Sequence, residues 1–157
     1  MSTGTKSKNW AWALCLGLVL YGAQEAVMAK MVIFSAVTGK VLQDGKPVSG
    51  ASIEREFRWA WKDETGTDKA TTGGGGEFSF PAVERSSFLG SLLPHEPVVR
   101  QSITIRHAGK AYEAWLYNKH NYDDKGELEG KPLRLVCRLE TAPQRHAGGY
   151  YGICDIE

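Results

Sequence analysis

From residue 30 onward, apolar and polar positions alternate at every second residue. This is the period of a β-strand with one face buried. The pattern is clearest over residues 51–61, where Ala51, Ile53, Arg55, Phe57, Trp59 and Trp61 fall on one face and Ser52, Glu54, Glu56 and Arg58 on the other. Glu77-Phe78-Ser79-Phe80 repeats it with both phenylalanines inward, and Pro81 ends the strand. Val99, Gln101, Ile103 and Ile105 share a face of another strand. Ala108-Gly109-Lys110 then reads as a hairpin turn, and residues 111–118 return as a strand carrying Tyr112, Trp115, Leu116 and Tyr117. Leu133, Leu135, Cys137 and Leu139 alternate with Arg134, Val136 and Arg138 in a last strand. At the front, residues 30–34 are expected to open a strand that continues through Gly39 to Leu42. Asp44-Gly45 supplies a tight turn, and Lys46-Pro47-Val48 leaves it in extended form.

Segments without this alternation are read as connections. Residues 62–76 are polar and end in four glycines, which predicts a flexible turn; a phosphate-binding loop is excluded because no Gly-Lys-Ser/Thr and no helix start follow. Residues 86–94 are the one helical candidate, with Ser86 or Ser87 as cap and Phe88, Leu89, Leu92 and Leu93 at helical spacing before Pro94. Residues 118–131 form a polar connection, and residues from Thr141 onward form a glycine- and tyrosine-rich tail. About seven short strands and one short helix predict an all-β, antiparallel Greek-key sandwich.

The N-terminal segment changes the setting. Lys6 and Lys8 precede an apolar run over residues 10–23, and Val27-Met28-Ala29 suits a cleavage site, so residues 1–29 read as a signal peptide. The run is short for a membrane span and Gln24-Glu25 follow it; a retained anchor is the alternative. Residues 30–157 then form a single domain with a disulfide-tied tail. The whole chain has 19 basic and 18 acidic residues. The signal holds Lys6, Lys8 and Glu25, so the remainder is formally neutral and has no basic stripe for nucleic acid or an anionic membrane. With Cys15 inside the signal, Cys137 and Cys154 are left as an even pair in an oxidising compartment, the periplasm, and are expected to be bridged.

Gly39 to Ile53 reads G-x-V-x-x-x-G-x-P-V-x-G-A-x-I. This resembles the opening of carboxypeptidase regulatory-like domains, also described as transthyretin-like or prealbumin-like modules. The second half of their signature is similar to Thr71-Thr72 through Gly76-Glu77-Phe78-Ser79-Phe80, here without the usual Asp and with extra glycines. The resemblance covers roughly residues 32–82 and implies a seven-stranded Greek-key sandwich used as an accessory or binding module, usually without catalysis. More narrowly, Trp59 and Trp61, Phe80-Pro81 and the Leu135 to Leu139 Leu-x-Cys-x-Leu resemble small exported proteins of Gram-negative bacteria. Some of these look like immunity proteins paired with type VI secretion effectors that act in the periplasm.

The residue types offer little catalytic chemistry. The histidines His95, His107, His120 and His146 are scattered without metal-ligand spacing and read as exposed loop residues, so no metal or other cofactor is expected. Residues 121–126 echo a calcium loop, but Lys125 holds a ligand position and Pro132 falls where the closing Glu belongs. There is no Gly-x-Ser-x-Gly elbow, and Glu54 and Glu56 beside Arg58 read as a solvated strand face. A prealbumin-like hydrolase would carry a C-terminal Tyr-Arg-Gly-Ser, which is absent. No enzymatic activity is expected. The remaining candidates are partner-binding residues at strand ends: Arg58, Trp61 and Lys62 in one group, and Tyr117, His120 and Tyr122 in a second. The leading expectation is a periplasmic immunity protein that occludes the active site of a secreted effector. The alternative is an exported small-ligand or glycan-binding module in which Trp61 and Tyr122 stack on sugar rings.

Overall fold

The computed structural model describes Met1, residues 29–87 and residues 94–157. The expected signal peptide, apart from its two end residues, and residues 88–93 of the expected helix lie outside these. The described residues build an all-β sandwich held by one core.

The front of the chain differs from expectation. The single strand expected over residues 30–42 is two, β1 (Ala29–Phe34) and β2 (Val37–Gln43), and they enter different sheets. The break falls at Ser35, whose N–H and hydroxyl donate to the Glu127 carboxylate at 3.0 and 2.6 Å instead of joining a ladder. β1 pairs with β7 (Val83–Ser87), where Ser86 lies opposite Lys30 and Ser87 opposite Ala29. Both serines are therefore strand residues.

Two larger sheets enclose the core. In the first, β2 lies between β10 (Leu133–Arg138) and the pair β3 (Lys46–Pro47) and β6 (Glu77–Phe80), and β13 (Cys154–Ile156) covers the outer side of β10. The β2–β10 pair is parallel, whereas every other pair among the described residues is antiparallel. In the second, the order is β11 (Gln144–Arg145), β12 (Tyr151–Gly152), β9 (Lys110–Lys119), β8 (Val99–His107), β4 (Ser52–Trp59) and β5 (Glu64–Thr71).

β5 corrects the expectation of a flexible turn over residues 62–76. All eight of its positions pair with β4. Glu-Thr-Gly-Thr-Asp-Lys-Ala-Thr shows no apolar alternation because β5 is an edge strand with most of its surface in water. The stretch turns only at its two ends, at Lys62-Asp63 and at Gly73 to Gly76. There Gly76 has φ +78°, and a Cβ would come within 2.5 Å of the Val41 carbonyl, so no other residue fits.

The alternation in β4 is realised: Ile53, Arg55, Phe57 and Trp59 are buried, facing Val37, Val41, Phe78, Phe80, Leu133 and Leu135 of the other sheet in one core cluster. Asp44-Gly45 and Ala108-Gly109 each place two successive residues at positive φ, the backbone of a two-residue hairpin turn. Cys137 and Cys154 are bridged as directly opposed residues of β10 and β13. In β9, a register shift beside Ile103 and Thr104 leaves Ala114 as a bulge, so that adjacent Ala114 and Trp115 are both fully buried. Past the bulge, Trp115, Tyr117 and Lys119 share one parity. This turns a lysine inward.

Candidate functional site

An aromatic cluster lies at the end of β4. After Trp59 the chain enters a 3-10 turn (Ala60–Lys62), which ends the alternation and lifts Trp61 out of the core onto its rim. Trp59 is 2 % exposed, and its indole N–H donates to the Tyr122 hydroxyl at 2.8 Å. The two rings meet edge to face at 5.8 Å. Trp61 packs on Trp59 at 5.6 Å, and His95 stacks on Trp61 with centroids 4.2 Å apart. His95 Nε2 also lies 2.9 Å from the Tyr122 hydroxyl. The Lys62 ammonium sits 4.1 Å from the centre of the Trp61 ring, a cation–π distance. Burial pushes the Tyr122 phenol above its ordinary range, and the Trp59 hydrogen bond opposes this in part. The phenol therefore stays protonated and available as a donor at neutral pH.

The two expected groups are regrouped. Trp61, Lys62 and Tyr122 come together although the last is some sixty residues away in sequence. Arg58 does not join them: alternation turns it to the outer face of β4, where it pairs with Asp63 at 3.1 Å, both side chains well exposed. His120 is exposed just beyond β9. Tyr117 faces the other way, packed on Trp115 at 5.6 Å. Of the histidines expected in exposed loops, only His120 is exposed; His95 and His146 are half-buried in ring stacks and His107 is half-buried at the end of β8. Among the described residues, no three His, Cys, Asp or Glu side chains converge as metal ligands, and no helix is long and apolar enough to cross a membrane. The echo of a calcium loop is a self-satisfied turn: Asn121 donates to the Gly126 carbonyl at 3.0 Å and accepts from Asp123 N–H at 3.1 Å.

Sequence reasoning missed a buried polar knot beneath the 119–131 connection. Lys119 and Glu127 are both enclosed, with Lys119 Nζ 3.2 Å from Glu127 Oε1 and 2.7 Å from the Asp123 carbonyl. Gln101 donates to Glu127 Oε1 at 2.7 Å and to the Ile33 carbonyl at 2.9 Å, and Ser35 supplies the two bonds already described. Burial alone pushes the Glu127 carboxyl up, but Lys119, Ser35 and Gln101 together outweigh it and hold the group below its ordinary range. Burial lowers Lys119 more than Glu127 and the nearby aspartates raise it. The one legible signal was the parity running from Trp115 through Tyr117 to Lys119. Nothing in the local sequence marks Glu127. The knot is structural: it clamps a loop without regular structure onto β1, β8 and β9.

Residues 37–142 match a family described as a domain of unknown function, DUF6795. This spans more than half of the 157 residues, and the chain belongs to that family. The matched span runs from the start of β2 to just past β10, so it includes the aromatic cluster and the Gln101, Lys119 and Glu127 members of the polar knot, but not Ser35, β1 or the tail. No curated protein matches the chain.

Proposed function

We propose that this protein is an exported, non-enzymatic immunity protein that acts in the periplasm by binding a type VI secretion effector and covering its active site. The observation that carries the reading is the prebuilt aromatic–basic end, where Trp61 and Lys62 are held against Trp59, Tyr122 and His95 at the rim of a rigid sandwich. Trp, Tyr and cationic side chains fixed before binding lose little entropy on docking, which is how inhibitor-type interfaces become tight. The signal-like N-terminus, the disulfide and the resemblance of Gly39 to Ile53 and Leu135 to Leu139 to small exported sandwiches support the same reading. A sugar-stacking role for Trp61 is less well supported, since its ring already carries His95 and Lys62.

The test is co-expression, signal included, with the effector encoded beside the gene and directed to the periplasm. Survival and co-purification are expected, with protection weakened by combined Trp61→Ala and Lys62→Glu. Undiminished toxicity together with no co-purification would sink the reading.

A further inference from the structure

An open cleft of about 740 Å³ separates the 119–131 connection from the C-terminal tail, a volume within the range of ligand sites. Tyr117, Leu128 and Glu129 line it on one side, His146, Tyr150 and Asp155 on the other. We propose that this cleft receives a guanidinium group, the arginine side chain of a protein partner.

Both walls are fixed in advance. The connection is clamped by the Lys119–Glu127 knot. The tail is held by the Cys137–Cys154 bridge and by a ring stack in which Tyr150 lies 4.3 Å from Trp115 and 4.3 Å from His146. Two rings lying parallel to a third at that distance cannot share a face, so Tyr150 is sandwiched and His146 is the outer ring of the stack. The His146 ring is further held by Nε2, 3.1 Å from the Gly152 carbonyl. The aromatic surfaces left to the cleft are those of Tyr117 and His146.

Its charge selects the ligand. Asp155 spends one oxygen on Arg138 at 2.7 Å, and its other lies 3.8 Å from His146 Nδ1. Glu127 is taken by Lys119, Ser35 and Gln101. Glu129 has no hydrogen-bond or ion-pair partner among the described residues. It is held at φ +54°, a conformation that suits Gly or Asn better than Glu. Lys131 is the one lysine or arginine on the rim, and both it and Glu129 are exposed. Burial first, then Glu127 and Glu129, raise the Tyr117 phenol, while burial and then Asp155 raise Tyr150. A flat cation that stacks on an aromatic face while it forks a carboxylate matches this lining, whereas an ammonium supplies only a point charge. Because the cleft is open rather than enclosed, a side chain projecting from a larger surface can enter it. The inference does not depend on the effector reading, since any arginine-bearing partner satisfies it.

The test is amide NMR of the isotope-labelled protein titrated with Nα-acetyl-arginine methylamide. Expected are saturable shifts at Tyr117, Glu129, His146 and Tyr150. Glu129→Gln should weaken affinity roughly three- to fivefold, the share of one accessible ion pair. Glu56→Gln, on the outer face of β4, should leave it unchanged. The proposal is overturned by an absence of saturable shifts, by shifts spread over remote carboxylates, or by equal affinity in Glu129→Gln. Equal binding of tetramethylammonium or of the norleucine analogue removes the guanidinium claim, and tighter binding of free arginine removes the protein source.

Discussion

Glu127 is the residue that most changes how this chain is understood. It sits in a connection that reads as solvated, yet it is 4 % exposed and receives bonds from three separate parts of the fold. A buried carboxylate is tolerated only where a cation and several donors replace water, and Lys119, Gln101 and Ser35 supply them. Its folded pKa lies below the unfolded value of about 4.3, so its contribution to stability is complete above that pH and is lost as pH falls through the folded value. Glu127→Gln cannot undergo this loss and should show a shallower decline in thermal midpoint below about pH 4. At pH 7 it should be less stable by about 3 kcal/mol, because Lys119 is left buried without its counter-charge. If that variant is too unstable to study, Ser35→Ala keeps both charges and removes the 2.6 Å bond, which should raise the folded pKa and flatten the same acid slope. An unchanged slope in both would show that Glu127 does not govern acid stability.

At the scale of elements, β5 and β13 show how edges are managed. β5 is polar apart from Gly66 and Ala70, and its Gly66 makes room for the Phe57 ring, which stands 2.3 Å from where a Cβ would be. β13 is only three residues long, joined to β10 by the disulfide as well as by its ladder. The bridge closes a loop of sequence separation 17, worth about 3 kcal/mol in the chain-entropy account. Replacing both cysteines with alanine should lower urea-unfolding stability by about that amount and raise amide exchange across the tail. If exchange in the tail stays unchanged, β13 is held by its ladder and the Tyr150 stack instead.

Across the whole molecule, Arg55 joins the layers. It is 1 % exposed in the middle of β4, donates to the Pro81 carbonyl at 2.7 Å and to Asp68 on β5 at 3.1 Å, and lies 4.8 Å from the Phe80 ring and 5.1 Å from Phe34. These contacts tie the six-stranded sheet to β1 and to the end of β6. They also explain an arginine among apolar residues on the inward face. Asp68 is about half exposed, so water replaces much of what it gives, and Asp68→Asn should cost only about 1 kcal/mol. Arg55→Ala also removes the aromatic packing and leaves the Pro81 carbonyl without its donor, for about 3 kcal/mol. Chemical denaturation of the two variants checks the order. Equal losses would mean that the Asp68 ion pair, and not the packing, makes Arg55 important.

The strands with one wet and one dry face are legible in the residue pattern. Period-two alternation records burial directly, and it located β4, β6, β8, β9 and β10, the inward residues of all but β9, and the turns at Asp44-Gly45 and Ala108-Gly109. The even cysteine pair likewise announced the bridge. Other features depend on contacts between distant parts of the chain. β5 has both faces largely in water and leaves no period to read, and the division of β1 from β2 depends on a carboxylate some ninety residues away. The bulge at Ala114 sets the parity that buries Lys119, and the 3-10 turn after Trp59 moves Trp61 from core to rim. Tyr122 joins the tryptophans rather than Tyr117 because its loop is pinned by the knot beneath it. The candidate site is therefore legible only as residue types; its membership was settled by long-range contacts that no local pattern encodes.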